Sequence, residues 1–190
     1  MPGTARWRAW SGDGLEHLVL SRKADYIEAE SAVISGPVHA GFAARYSLRV
    51  DCEWRTSEMR ASIVGASTSV YLRRTEDGHW FDSNNQQLEY LDGIVDVDLS
   101  ITPFTNSLPI RRLKLCVGES AEIAAAYVSF PELQVSLDRQ RYTRVASDRY
   151  RYEPLDSDFV RELSVDQYGF VITYPGLFRR VEYNSPADRY

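Results

Sequence analysis

Asp96 and Asp98 stand two residues apart in the run Ile94-Val95-Asp96-Val97-Asp98-Leu99. On a strand, alternate side chains share a face, so both carboxylates project to one side, opposite Val95, Val97 and Leu99. Carboxylates about 7 Å apart match the pair a glycosidase uses as acid and base or nucleophile. Half-buried carboxylates also need partners, and Arg111 and Arg112 follow close behind. Ion pairing with these arginines is the favoured reading, ahead of binding ligand hydroxyls and of catalysis.

Arg111 and Arg112 have two uses open to them. They suit a clamp on a phosphate or carboxylate head group through bidentate hydrogen bonds, or an anchor between a helix and a sheet. Thr105 and Asn106 fit turn and cap positions before they fit ligand contacts. Trp54 and Arg55 end a long alternating run. An indole there suits packing first and stacking on a sugar face second, with Arg55 bonding hydroxyls. Between 139 and 152, Arg139, Arg141, Arg144, Arg149 and Arg151 interleave with Tyr142, Tyr150 and Tyr152. Such alternation binds single-stranded nucleic acid in some proteins. On a strand it is plain amphipathicity, with arginine on one face and tyrosine on the other. The candidate ligand contacts are therefore Trp54, Arg55, Asp96, Asp98, Asn106, Arg111, Arg112, Arg141 and Tyr142.

The rest of the sequence narrows the chemistry. His17, His39 and His79 are scattered without metal-ligand spacing. There is no nucleophile elbow, no dinucleotide fingerprint and no phosphate-binding glycine loop, so no enzyme class, metal or cofactor is expected. A net charge of −5 lacks the basic footprint a nucleic-acid binder needs. Cys52 and Cys116, far apart, are expected as buried free thiols of a reducing compartment. The start, Met1 to Trp7, has no apolar core of a signal peptide, and no run approaches the ~20 apolar residues of a membrane span. A cytoplasmic protein without integral membrane association is expected.

The elements that must position these residues are strands. From Phe42 to Trp54 every even position but one is apolar (Phe42, Ala44, Tyr46, Leu48, Val50, Trp54, with Cys52 between). The odd positions carry Arg45, Ser47, Arg49, Asp51 and Glu53. One strand that long, roughly 40 Å, favours a strongly curved sheet. Further strands are expected at 5–10, 15–22, 27–33, 58–65, 68–74, 79–81, 94–100, 121–129, 132–145, 148–153, 159–166, 169–174 and 177–183. Tight turns such as Asp77-Gly78, Tyr168-Gly169 and Pro175-Gly176 favour antiparallel meanders over parallel crossovers. Thr102 to Leu113 breaks the pattern, because Pro103 and Pro109 remove ladder donors. A single short helix is expected near 107–113, with Pro109 in its first turn and Thr105 or Asn106 as cap. No linker or repeat divides the chain, so residues 1–190 are expected to form one mainly β domain.

The central segment resembles the signature of the putative glycolipid-binding family of bacterial proteins. The resemblance lies in Leu91 to Ser100, Thr102-Pro103-Phe104-Thr105-Asn106 and Leu108-Pro109-Ile110-Arg111-Arg112-Leu113. The flanks agree: Gly14 to Leu18, Asp51 to Thr56, Val117 to Ala121, Gln140 to Thr143, Tyr150 to Glu153 and Tyr174 to Arg180. The resemblance implies a single-domain antiparallel spiral β-roll, similar to the bacterial lipoprotein-localisation carriers, which hold acyl chains inside a curled sheet. It implies a glycolipid or other amphipathic small molecule as partner. The leading expectation is a non-catalytic binding protein with the apolar tail in a hollow lined by Leu, Val, Phe and Tyr. Arg111, Arg112, Asp96 and Asp98 would orient the head at its mouth. Two alternatives stand beside it. One is a hydrolase acting on a glycoside through Asp96 and Asp98; the other is a structural or interaction module without a small ligand.

Overall fold

The computed structural model describes residues 3–37 and 39–181. Period-two alternation produces fourteen strands in the expected places. The first seven are β1 (Thr4–Ala9), β2 (Leu15–Arg22), β3 (Tyr26–Ser35), β4 (Phe42–Asp51), β5 (Thr56–Ile63), β6 (Ser69–Arg74) and β7 (Trp80–Phe81). After a short 3-10 turn at Glu89–Leu91 come β8 (Asp96–Leu99) and the one α-helix among the described residues, α1 (Ser107–Leu113). The rest are β9 (Ser120–Val128), β10 (Val135–Ala146), β11 (Arg149–Pro154), β12 (Arg161–Val165), β13 (Val171–Tyr174) and β14 (Phe178–Arg180). Of the expected final strand at 177–183, residues 182 and 183 lie outside the described residues. The helix is not long and apolar enough to cross a membrane.

All fourteen strands share one curled, unclosed sheet in the order β7-β6-β5-β4-β3-β2-β1-β14-β13-β12-β11-β10-β9-β8. Two meanders are zipped together where β1 pairs with β14, Trp7 opposite Arg180 and Ala9 opposite Phe178. The expectation of antiparallel pairing throughout needs one correction. β8 pairs with β9 in parallel, Asp96 opposite Ala125 and Leu99 opposite Val128. A parallel neighbour demands a crossover, and the proline-interrupted stretch carrying α1 supplies it.

The long strand also stops earlier than its alternation suggests, at Asp51. The Asp51 carboxylate accepts the backbone N–H groups of Glu53 (2.8 Å) and Arg55 (2.9 Å), which folds the chain into a turn. Both cysteines are free but exposed, against the expectation of burial. Cys52 falls in this turn and Cys116 in the turn beyond α1, where strand alternation no longer decides burial.

The crossover is the centre of the molecule. Residues Ile101 to Ile110 are buried without exception. Phe104 and Leu108 join one apolar cluster with Trp7, Leu18, Leu48 and Phe170 from the sheet. Burial of each such side chain is worth about 1.5–3 kcal/mol. Three polar members of the segment are latched to the sheet, while the buried Ser107 hydroxyl has no partner. Thr102 Oγ1 donates to Glu16 (2.7 Å), Thr105 Oγ1 donates to Asp98 (2.8 Å), and Asn106 Nδ2 donates to the Tyr142 hydroxyl (2.9 Å). Asn106 takes the N-cap position of α1 as expected, but its side chain makes no cap bond and is spent on Tyr142, as Thr105 is on Asp98. Where a hollow is expected, the buried crossover packs into the main apolar cluster through Ile101, Phe104 and Leu108. A second, tyrosine-rich cluster of Tyr142, Tyr150, Tyr152 and Tyr174 packs beside it with Ile110.

Candidate functional site

At one end of the roll four chain segments meet around a cleft of about 870 Å³. They are the turn 52–55 after β4, the end of α1 from Ile110 to Lys114, the β10–β11 turn with Arg144 and Ser147, and the β12–β13 turn 165–169. Each is a turn whose shape is set locally. Trp54 sits at φ 69, a left-handed conformation costly for a bulky residue, held by the Asp51 bonds on either side of it. Lys114 ends α1 in the left-handed conformation, φ 50. Gly169, at φ 79, passes so close to α1 that a Cβ there would lie 3.1 Å from Arg111 Cγ. The left-handed dihedral calls for glycine, and a side chain there would also crowd Arg111 by a few tenths of an ångström.

Arg111 is the centre of the cleft's chemistry. Its guanidinium carbon stands 4.0 Å from the Trp54 ring centroid and 5.2 Å from that of Phe170, close enough for cation–π attraction. Its Nε and Nη1 are buried without any hydrogen-bond partner. Burial pushes the Arg111 guanidinium down from its ordinary value, partly offset by the nearby Asp166 carboxylate. Asp166 itself is committed elsewhere. One oxygen accepts the N–H groups of Tyr168 (2.9 Å) and Phe170 (3.0 Å), and the other accepts from Arg180 (2.5 Å).

The other cleft arginines have partners. Arg112 donates through Nε and Nη2 to Asp96, whose carboxylate is 1% exposed. Burial raises Asp96 and Arg112 lowers it, with burial the larger effect. Arg55 pairs with Glu53 in the turn. Arg144 spends its guanidinium on three carbonyls, those of Leu115 (2.8 Å), Ala146 (3.4 Å) and Ser147 (2.7 Å), and so shapes the β10–β11 turn.

Residues 4–180 match the sequence profile of the putative glycolipid-binding family. The chain belongs to that family. A solved structure from Pseudomonas aeruginosa, described as a DUF1089 family protein, is similar to it at 36% identity and a TM-score of 0.77. The likeness covers 89% of this chain and 92% of that one. No curated protein matches the chain.

In this family member the nine residues singled out from sequence separate into four places. Trp54, Arg55, Arg111 and Arg112 line the cleft. Trp54 is only 7% exposed and carries Arg111 over its ring, so it is not a free platform for a sugar. Asp96 stands behind Arg112. Asp98, Asn106 and Tyr142 belong to the interior instead. Asp98 accepts from Thr105 and from Gln140 Nε2 (2.7 Å), while the Tyr142 hydroxyl donates to Gln140 Oε1 (3.2 Å). Burial lifts the Asp98 carboxyl to about 6. Neither Asp96 nor Asp98 lines the cleft. Arg141 lies on the outer face, paired with Glu122 across β9 and β10. Arginine out and tyrosine in is the pattern along β11 and at Arg139, Arg141 and Tyr142 of β10, as strand alternation requires; Arg144 departs from it, sharing the parity of Tyr142 and lying over the Tyr150 ring.

One buried acid escaped the sequence reading. Glu16, 2% exposed, accepts from Ser31 Oγ (2.9 Å), the Tyr46 hydroxyl (2.5 Å) and Thr102 Oγ1. Burial raises its carboxyl to about 7. The signal was there: Glu16 has the same parity as Leu18 and Leu20 on β2, a charge on the dry face. Gln140 shares its parity with buried Tyr142 in the same way. Among the described residues no group of three or more His, Cys, Asp or Glu stands ready to hold a metal ion.

Proposed function

We propose that this protein is a non-catalytic binding protein for a glycolipid-like amphiphile, whose polar head enters the cleft beside Arg111 and whose tail stays outside the filled roll. One observation carries the reading: a half-buried arginine, stacked on Trp54 and Phe170 and without a hydrogen-bond or salt-bridge partner among the described residues, lines the base of an open cleft. An unpartnered guanidinium is costly, and a ligand oxygen in the cleft would pair with it. The cleft's volume is that of a small-molecule site, and Ile110, Tyr150, Val165 and Tyr168 give it an apolar lining beside its polar groups. The glycoside-hydrolase reading loses support, because Asp96 and Asp98 are bonded inside the protein and away from this space. The filled interior favours instead the interaction module that takes no small ligand.

Native mass spectrometry of freshly purified protein, followed by organic extraction, separates the two. The expected result is a bound species whose extra mass is recovered as a lipid. A ligand-free species in every preparation, with tryptophan fluorescence unmoved by both glucosyl diacylglycerol and phosphatidylglycerol vesicles, would overturn the binding reading in favour of the module.

A further inference from the structure

The charges around the cleft do not cancel. The chain as a whole carries −5, yet five cations line this space against Glu53 and Asp166. Both acids are spoken for, Glu53 by Arg55 and Asp166 by Arg180. Arg112 is neutralised by Asp96 from behind. That leaves Arg111, Lys114 and Arg144, none of which pairs with a carboxylate among the described residues. Arg144 is hydrogen-bonded, but to neutral carbonyls, so its charge remains. The C-terminus of α1 offsets only about half of one charge. Three uncompensated cations on one cleft are an electrostatic arrangement that repels itself until an anion enters.

Resting on the binding reading above, we infer that the head group is an oxyanion of the phosphate-ester class, held between Arg111, Lys114 and Arg144. A phosphate offers several oxygens to cations approaching from different sides, and the planar Arg111 fork, fixed by Trp54 and Phe170, presents its donors without further ordering. The same chemistry belongs to a phospholipid-type head and to a soluble sugar phosphate.

The test is isothermal titration of the intact chain with four probes. Two carry the oxyanion: glucose 6-phosphate, and phosphatidylcholine vesicles doped with phosphatidylglycerol. Two lack it: glucose, and phosphatidylcholine vesicles doped with glucosyl diacylglycerol. Binding is expected for at least one oxyanion probe, with its neutral counterpart weaker by about tenfold or more, the effect of a lost charge-assisted hydrogen bond. Uptake of the vesicle alone assigns a lipid head, and uptake of glucose 6-phosphate alone assigns a soluble ester. Arg111→Gln is expected to cost a similar factor. Should that variant fail to fold, Lys114→Glu, at an exposed position, must weaken the same binding. Glucosyl diacylglycerol vesicles bound as tightly as the phosphate probes, and weakened by Arg111→Gln, would overturn the oxyanion while leaving the glycolipid reading intact; the same binding unaffected by Arg111→Gln would overturn both. Binding of no probe at all would overturn both.

Discussion

The crossover latch inside the roll and the cleft at its end are built from the same kinds of side chain, but they are in opposite states. The buried side chains of Thr102, Thr105 and Asn106 and the groups they meet have found partners: Glu16 has three hydroxyl donors, Asp98 a threonine and an amide, Tyr142 an asparagine and a glutamine, while the adjoining Ser107 hydroxyl has none. At the cleft, Arg111 sits half-buried on Trp54 with its Nε and Nη1 unpartnered. A saturated network rigidifies a fold and has nothing left to offer a ligand. An unsaturated one costs stability and persists where a ligand supplies what is missing. Burial of charge alone does not distinguish the two regions; hydrogen-bond satisfaction does.

The strongest challenge to that contrast is Phe104→Ala. If the crossover fills the interior, the variant loses about 3–5 kcal/mol in denaturant unfolding, as a cavity in a packed core does; a loss below about 1 kcal/mol would restore the hollow. Next comes acid dependence. The Glu16 carboxyl is raised from the ordinary 4.5 to about 7, so between those values the folded state holds a proton that the unfolded state has released. Its contribution is full below pH 4.5 and is lost as pH rises through 7, on the order of 3 kcal/mol. Glu16→Gln should therefore flatten the fall in stability over that window, measured by urea melts at successive pH values, and an unchanged slope would refute it. Arg112→Leu strands Asp96 and is expected to cost about 2–3 kcal/mol, below the full value for a buried pair because the Arg112 side chain keeps 20% exposure. Its ligand affinity should hold, the reverse of Arg111→Gln, which loses affinity and keeps its melting temperature. Two arginines side by side with exchanged phenotypes would sharpen the comparison most. Arg141→Ala, which breaks an exposed pair with Glu122, should change neither melting nor binding.

Much of the fold was legible in the chain. Alternation located the strands, and two prolines marked the break that holds α1, with the helix falling at Ser107–Leu113 as expected. The candidate site was only partly legible. Trp54, Arg55, Arg111 and Arg112 do converge, but Arg141 and Tyr142, neighbours in sequence, point to opposite faces of β10 and neither reaches the cleft. Arg144, assigned to a basic run, turns out to shape the cleft's wall. Asp96 and Asp98 look equivalent as a pair, yet one meets an arginine at the cleft and the other an amide in the interior.

Period, parity and turn chemistry act over a few residues, so strand positions, the single helix and the bends follow from local composition. Which polar groups find partners depends on residues brought together from far along the chain: Glu16 meets Thr102, Asp98 meets Gln140, and Trp54 meets Arg111 only after the sheet has curled around its own crossover. Hydrogen bonding and desolvation are settled by those distant encounters, and they are what divided a structural carboxylate from an arginine left open to a ligand.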